Sequence, residues 1–205
     1  MVDSFQQRKQ DVLSKLDKSS IGKWDKKIIS LCDKINSLDN YYTTSSCSGR
    51  ILLMVDQEKK GENLFLFVSH DKVSFKKLKE ELNSALKKMG TSSGFFTTPA
   101  TRQEVVKKIK FKLEPCILHI ACETLEDAKK LFEIGKNAGW KRLGIIGTRN
   151  GFTFELNSTE KLEFPIIQNK KILVDDEFLK IVVDEANKKL EKSWLRINEL
   201  ESGFF

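Results

Sequence analysis

Cysteine is scarce in this 205-residue chain. The four present (Cys32, Cys47, Cys116 and Cys122) include no CxxC pair and no histidine at zinc-ligand spacing. That pattern argues against a disulfide scaffold or a zinc ribbon, and leaves reduced thiols with no bound metal expected. Only three prolines occur, and no proline- or glycine-rich linker divides the chain, so residues 1–205 read as a single domain. No apolar run approaches the roughly 20 residues of a membrane span. The start, Met1 to Gln7, has neither the basic opening nor the apolar stretch of a signal peptide. The expected location is cytoplasmic, with no membrane partner. P-loop, HExxH and GxGxxG signatures are also missing. The glycine-rich run Gly144 to Gly151 joins strand to strand, whereas a dinucleotide fingerprint opens a helix, so a doubly wound cofactor domain is disfavoured.

What is abundant is positive charge and phenylalanine. Thirty-six Lys and Arg face 29 Asp and Glu, a net charge of +7, and there are 14 Phe with 40% apolar residues overall. Such a chain folds around a core. The excess is uneven: +3 over residues 1–50, +5 over 51–110, +1 over 111–170 and −2 thereafter. A basic first half, with runs at Lys72–Lys88 and Arg102–Lys112, suits an anionic partner such as nucleic acid; solvated helix faces are the plainer reading.

Apolar periodicity predicts helices over Phe5–Leu16, Lys23–Leu38, Phe75–Met89, Leu125–Ala138 and Asp175–Leu200, and a short basic helix near Thr101–Lys110. Strands are predicted at 51–55, 64–68, 117–121, 144–147, 152–156 and 162–167, with Pro165 marking a sheet edge or the end of pairing. Asn150-Gly151 is a hairpin signal. Helix 23–38, two strands and helix 75–89 are echoed by helix 125–138, its strands and helix 175–200, which suggests an internal duplication of α-β-β-α halves.

Three places carry chemistry. Ser45-Ser46-Cys47-Ser48-Gly49-Arg50 reads as a polar loop before a buried strand: hydroxyls, a thiol, a flexible glycine and a guanidinium suited to a carboxylate or phosphate. His119 sits between Leu118 and Ile120 in a strand, so alternation sends it to the opposite face, as a site residue or a satisfied core histidine. His70 beside Asp71 is either a site pair or a strand-end turn. Cys47 is a candidate nucleophile, but with no histidine nearby in sequence a contact role fits it better.

Tyr41-Tyr42-Thr43-Thr44-Ser45-Ser46-Cys47-Ser48-Gly49-Arg50 resembles the signature S-x-S-S-C-x-G-R of the wybutosine-synthesising methyltransferase family, the third protein of that tRNA pathway. Here Thr43 replaces the first serine. Further matches are Glu114-Pro115-Cys116-Ile117-Leu118-His119, Gly139 to Gly144 with Leu143 where the family often has serine, and Leu162-Glu163-Phe164-Pro165. The resemblance is to archaeal-type members of this size. The resemblance implies an α+β fold of two intertwined β-α repeats around a mixed, barrel-like sheet, not a Rossmann methyltransferase. It also implies S-adenosylmethionine-dependent methylation at N4 of a wyosine-type guanosine beside the anticodon of phenylalanine tRNA. On that footing His119 is the catalytic candidate. Ser45, Ser46, Cys47, Gly49 and Arg50 would bind the cofactor, and His70, Lys72, Lys76, Arg102 and Arg149 the tRNA. The competing expectation is a basic RNA-binding module without catalysis.

Overall fold

Alternating apolar and polar residues build two separate antiparallel sheets, and helices bury the apolar face of one of them. The structure, a computed structural model, describes residues 4–15, 25–56, 64–90, 108–148 and 151–204. In chain order the elements are α1 (Phe5–Leu13), α2 (Ile29–Ser37), β1 (Tyr41–Cys47), β2 (Arg50–Val55), β3 (Phe65–Ser69), α3 (Phe75–Gly90), β4 (Lys108–Glu114), β5 (Ile117–Cys122), α4 (Leu125–Asn137), β6 (Arg142–Gly147), β7 (Phe152–Asn157), β8 (Leu162–Gln168), β9 (Lys171–Ile172) and α5 (Asp176–Ser202). Every ladder among them is antiparallel, so the class is α+β and the doubly wound arrangement is excluded. No helix among the described residues is long and apolar enough to cross a membrane.

The chain threads two compact units in turn: residues 1–49, 115–160 and 191–205 form the first, and residues 50–114 and 161–190 the second. The expected contiguous halves are therefore distributed over both units, because β6 and β7 belong to the first and β8 to the second.

In the first unit the sheet order is β1-β5-β7-β6. Its apolar face carries Tyr41, Leu118, Ile120, Cys122, Phe154 and Leu156. These close a core with Ile28, Leu31, Cys32 and Ile35 from α2 and its lead-in, Ala128 and Leu131 of α4, and Ile197 and Leu200 of α5. A capping box starts α4: the Thr124 hydroxyl accepts from the Asp127 backbone N–H and the Asp127 carboxylate accepts from that of Thr124, each at 3.1 Å. Asp127 is buried, and it also accepts from the Asn40 side chain, while its carbonyl accepts from the Tyr41 hydroxyl at 2.9 Å.

In the second unit the order is β3-β2-β4-β8-β9. Ile109, Phe111 and Leu113 of β4 are buried, while Lys108, Lys110, Lys112 and Glu114 between them are not. That period of two corrects the basic helix expected near Thr101–Lys110: Lys108–Lys110 open a strand, and residues 101–107 lie outside the described residues. The helix expected over Lys23–Leu38 begins, as described, at Ile29 after a turn that Asp25 caps by accepting from the Lys27 N–H. Pro165 opposes Lys110 beside a register shift in the β4–β8 ladder, at a point where β8 pairs only with β4, a place in a sheet that tolerates proline. The Asn187 side chain clamps Val73 through both its N–H and its carbonyl, each at 2.9 Å, fixing the start of α3.

Burial pushes the Asp127 carboxyl up, but its bonds to Thr124 and Asn40 outweigh this and hold it below the usual value. Its stabilising effect is thus complete above the unfolded carboxylate pKa of about 3.9 and lost as pH falls through the lower folded value. Asp127→Ala should destabilise the protein by about 1–3 kcal/mol at neutral pH in urea melts, and the deficit should shrink in strong acid.

Candidate functional site

The segment expected as a loop is mostly strand. Ser45, Ser46 and Cys47 end β1, Arg50 begins β2, and only Ser48 and Gly49 intervene. Gly49 has φ of 100°, a left-handed conformation that favours glycine, so the chain can leave one sheet and enter the other within two residues.

Within β1 the pairing to β5 shifts register at Thr44: Thr43 opposes Ile120, and Ser45 opposes His119. The extra residue reverses the facing of everything after it. Without it Ser45 would point to the core with Tyr41 and Thr43. With it, Ser45 and Cys47 share the face of His119, and Ser46 turns inward against the Cys32 thiol. Burial pushes that thiol up to about 11, with Ser46 pulling the other way.

On this polar face Ser45, His119, Glu155 and Gly144 form one row across all four strands. His119 Nε2 lies 2.9 Å from Glu155 Oε2, with both side chains about a quarter to a third exposed. The face is capped at one end, where Phe5 of α1 packs on Tyr42 at 5.1 Å between centroids, together with Ala121 and Val12. The row itself stays half-open: Ser45 is exposed, and a Cβ on Gly144 would meet nothing within 4 Å. His119 is therefore not a core histidine; Leu118 and Ile120 on either side are fully buried, and it faces away from them.

At the end of β1 the Ser48 N–H donates to Asp25 Oδ2 at 2.8 Å, so one carboxylate holds both the turn before α2 and the exit of the strand. The Ser48 hydroxyl is buried with no hydrogen-bond partner among the described residues. Cys116 is also buried here, and desolvation drives its thiol well above the ordinary value. Cys47 is half-buried and has its own partner within the protein.

Arg50 belongs to the second unit. Its Nε donates to Glu114 Oε2 at 2.7 Å, and its guanidinium lies 5.2 Å from the Phe65 ring centroid. Lys112 continues the ladder to Glu114 and Glu163, and Lys110 bridges Glu163 and Asp56. Burial raises the Glu163 carboxyl, but Lys161, Lys112 and Lys110 together hold it below the usual range. Much of the positive charge of β4 is thus answered within its own sheet. His70 is half-buried at the bend after β3, Lys72 and Lys76 are exposed before and on α3, and Arg102 and Arg149 lie outside the described residues.

Sequence reading passed over two residues. Glu155 stands between Phe154 and Leu156 just as His119 stands between its neighbours, so the same alternation signals it. Asp25 has no such signal, because its bond to Ser48 spans 23 positions.

Comparison with known proteins matches residues 7–204 to the family described as methyltransferase TYW3. A tRNA wybutosine-synthesizing protein 3 homolog of Danio rerio is 34% identical over 201 residues, covering 95% of this chain and 72% of the relative. A protein of Archaeoglobus fulgidus named tRNA(Phe) 7-((3-amino-3-carboxypropyl)-4-demethylwyosine(37)-N(4))-methyltransferase is 33% identical, covering 95% of this chain and 89% of its own length. The solved structure of the PH1069 protein from Pyrococcus horikoshii superposes with a TM-score of 0.78 at 30% identity, over 98% of this chain and 94% of that one.

The Arg50–Glu114 geometry predicts a measurable structural coupling. A double-mutant cycle of Arg50→Ala and Glu114→Ala, read by urea melts, should return about 0.5–1.5 kcal/mol, since the pair is half-buried and close. A coupling of zero would remove Arg50 from the stability of its sheet.

Proposed function

Since the chain belongs to the TYW3 methyltransferase family, we propose that it methylates N4 of a wyosine-type guanosine at position 37 of tRNA(Phe), as the names of its archaeal relatives state, and that S-adenosylmethionine is the donor. The observation that carries this reading is His119, held by Glu155 at 2.9 Å on a half-open polar face beside Ser45. tRNA modification of this kind fits a cytoplasmic protein, and we read residues 1–205 as one domain whose duplicated repeats interleave along the chain.

The residues present fit the methyl donor. Ser48 offers a buried hydroxyl with no partner among the described residues, and Asp25 offers a carboxylate suited to ribose hydroxyls or to a positively charged ligand. Ser45, Cys47, Ser48 and the backbone at Gly49 would hold it, with Ser46 steadying the strand from the α2 side. When bound, S-adenosylmethionine supplies an electrophilic methyl group on a sulfonium. The protein's share is alignment and one proton, because in-line displacement at carbon needs little covalent help.

A carboxylate only accepts hydrogen bonds, so Glu155 requires the proton of neutral His119 on Nε2. Nδ1 is then the acceptor that would take the proton N4 loses as the new N–C bond forms and the C–S bond to the donor breaks. Lys72 and Lys76, with His70, would meet tRNA phosphates, and Arg102 and Arg149 belong to the same proposal.

The test is incubation with the methyl donor and tRNA(Phe) carrying the unmethylated nucleoside, read by mass spectrometry as the gain of one methyl group at that nucleoside. His119→Ala should lower the single-turnover rate about 10²–10⁴-fold with the melting temperature and donor affinity nearly unchanged. Lys72→Glu with Lys76→Glu should weaken tRNA binding and flatten its salt dependence, leaving donor affinity alone. RNA binding with no methyl transfer by the wild-type protein would instead make it a binding module.

A further inference from the structure

An α-amino acid head group presents one ammonium and one carboxylate, so a protein site for it needs an anion, a cation and bare space between them. The outer part of the first sheet's polar face supplies this set. Leu143 of β6 opposes the fully buried Leu156, which turns its neighbours Arg142 and Gly144 to the other side. There Arg142 opposes Asn157 and Gly144 opposes Glu155, so these four positions are contiguous on one surface.

Each position has something left to offer. Arg50 is bound to Glu114 and Arg196 to Glu199, whereas the exposed guanidinium of Arg142 makes no hydrogen bond or ion pair among the described residues. Glu155 commits Oε2 to His119 and keeps Oε1. Asn157 Oδ1 is buried with no partner among the described residues, an acceptor awaiting a donor. Gly144 leaves the gap between them open, and β6 is the last strand of its sheet, so no further strand walls it off.

We propose that Arg142, Gly144, Glu155 and Asn157 form a subsite for a zwitterionic α-amino acid head group: carboxylate on Arg142, ammonium on Glu155 and Asn157 Oδ1, and the backbone-lined gap at Gly144 for the carbon between. The assignment deepens the methyltransferase reading and rests on it. Two molecules of that reaction carry this chemistry: the methionine end of the donor, and the 3-amino-3-carboxypropyl side chain in the substrate named for the archaeal relatives.

Arg142→Ala and Gly144→Val separate the sources. Both positions are open enough to change without disturbing the core, and unchanged melting temperatures check this. Calorimetry uses S-adenosylhomocysteine as the donor probe. Methylation is followed on tRNA(Phe) with and without the aminocarboxypropyl side chain. If the donor occupies the subsite, both variants should bind S-adenosylhomocysteine about tenfold more weakly. If the acceptor occupies it, that affinity stays constant and kcat/KM falls about tenfold only for the tRNA bearing the side chain. Variants equal to an active wild type in both assays overturn the subsite and leave the methyltransferase reading standing. A wild type that methylates neither tRNA yet binds S-adenosylhomocysteine through Arg142 overturns that reading and keeps the subsite.

Discussion

Everything on the polar face of the first sheet depends on the burial of the residues behind it. Leu118 and Ile120 of β5, and Phe154 and Leu156 of β7, are each 1% exposed or less, packed against α2, α4 and the end of α5. Regular pairing turns successive residues to opposite faces, so filling one face with these four side chains obliges His119 and Glu155 to occupy the other. Because β5 and β7 are paired with His119 directly opposite Glu155, the imidazole and the carboxylate meet without any loop to arrange them. A site built on paired strands is held more rigidly than one assembled from loops.

The register shift at Thr44 does for β1 what burial does for β5 and β7. It costs a regular ladder step and returns a change of facing, which brings Ser45 and Cys47 to the histidine's side and commits Ser46 to the interior. Asp25 then holds the strand exit through the Ser48 N–H, and Gly49 carries the chain away in a conformation that side chains resist. Three local devices therefore position one short polar segment.

Charge is deployed differently in the two units. In the second, Lys110, Lys112 and Arg50 lie half-buried in a ladder with Asp56, Glu114 and Glu163, where cations and anions answer one another across strands. Lys72 and Lys76, by contrast, lie exposed before and on α3, outside that ladder.

The amino-acid sequence by itself determined the helices at 75–90 and 125–137, most strands, the edge role of Pro165, the exclusion of a doubly wound fold and the face on which His119 lies. These follow from periodicity, which is local and survives any arrangement of neighbours. The departures are local too: the lysines of Lys108-Ile109-Lys110 suggest a basic helix where the alternation spells a strand, and the small polar residues Ser45–Cys47 suggest a loop where they sit in a paired strand. Tertiary structure alone decided the rest. The facing of Ser45 hangs on one inserted residue in the ladder, the partner of His119 is 36 positions away, Asp25 reaches Ser48 across 23, and Arg50 spends its Nε on Glu114, 64 residues downstream. Pairing register and long-range hydrogen bonds are properties of two segments at once, and no stretch of chain read alone contains them.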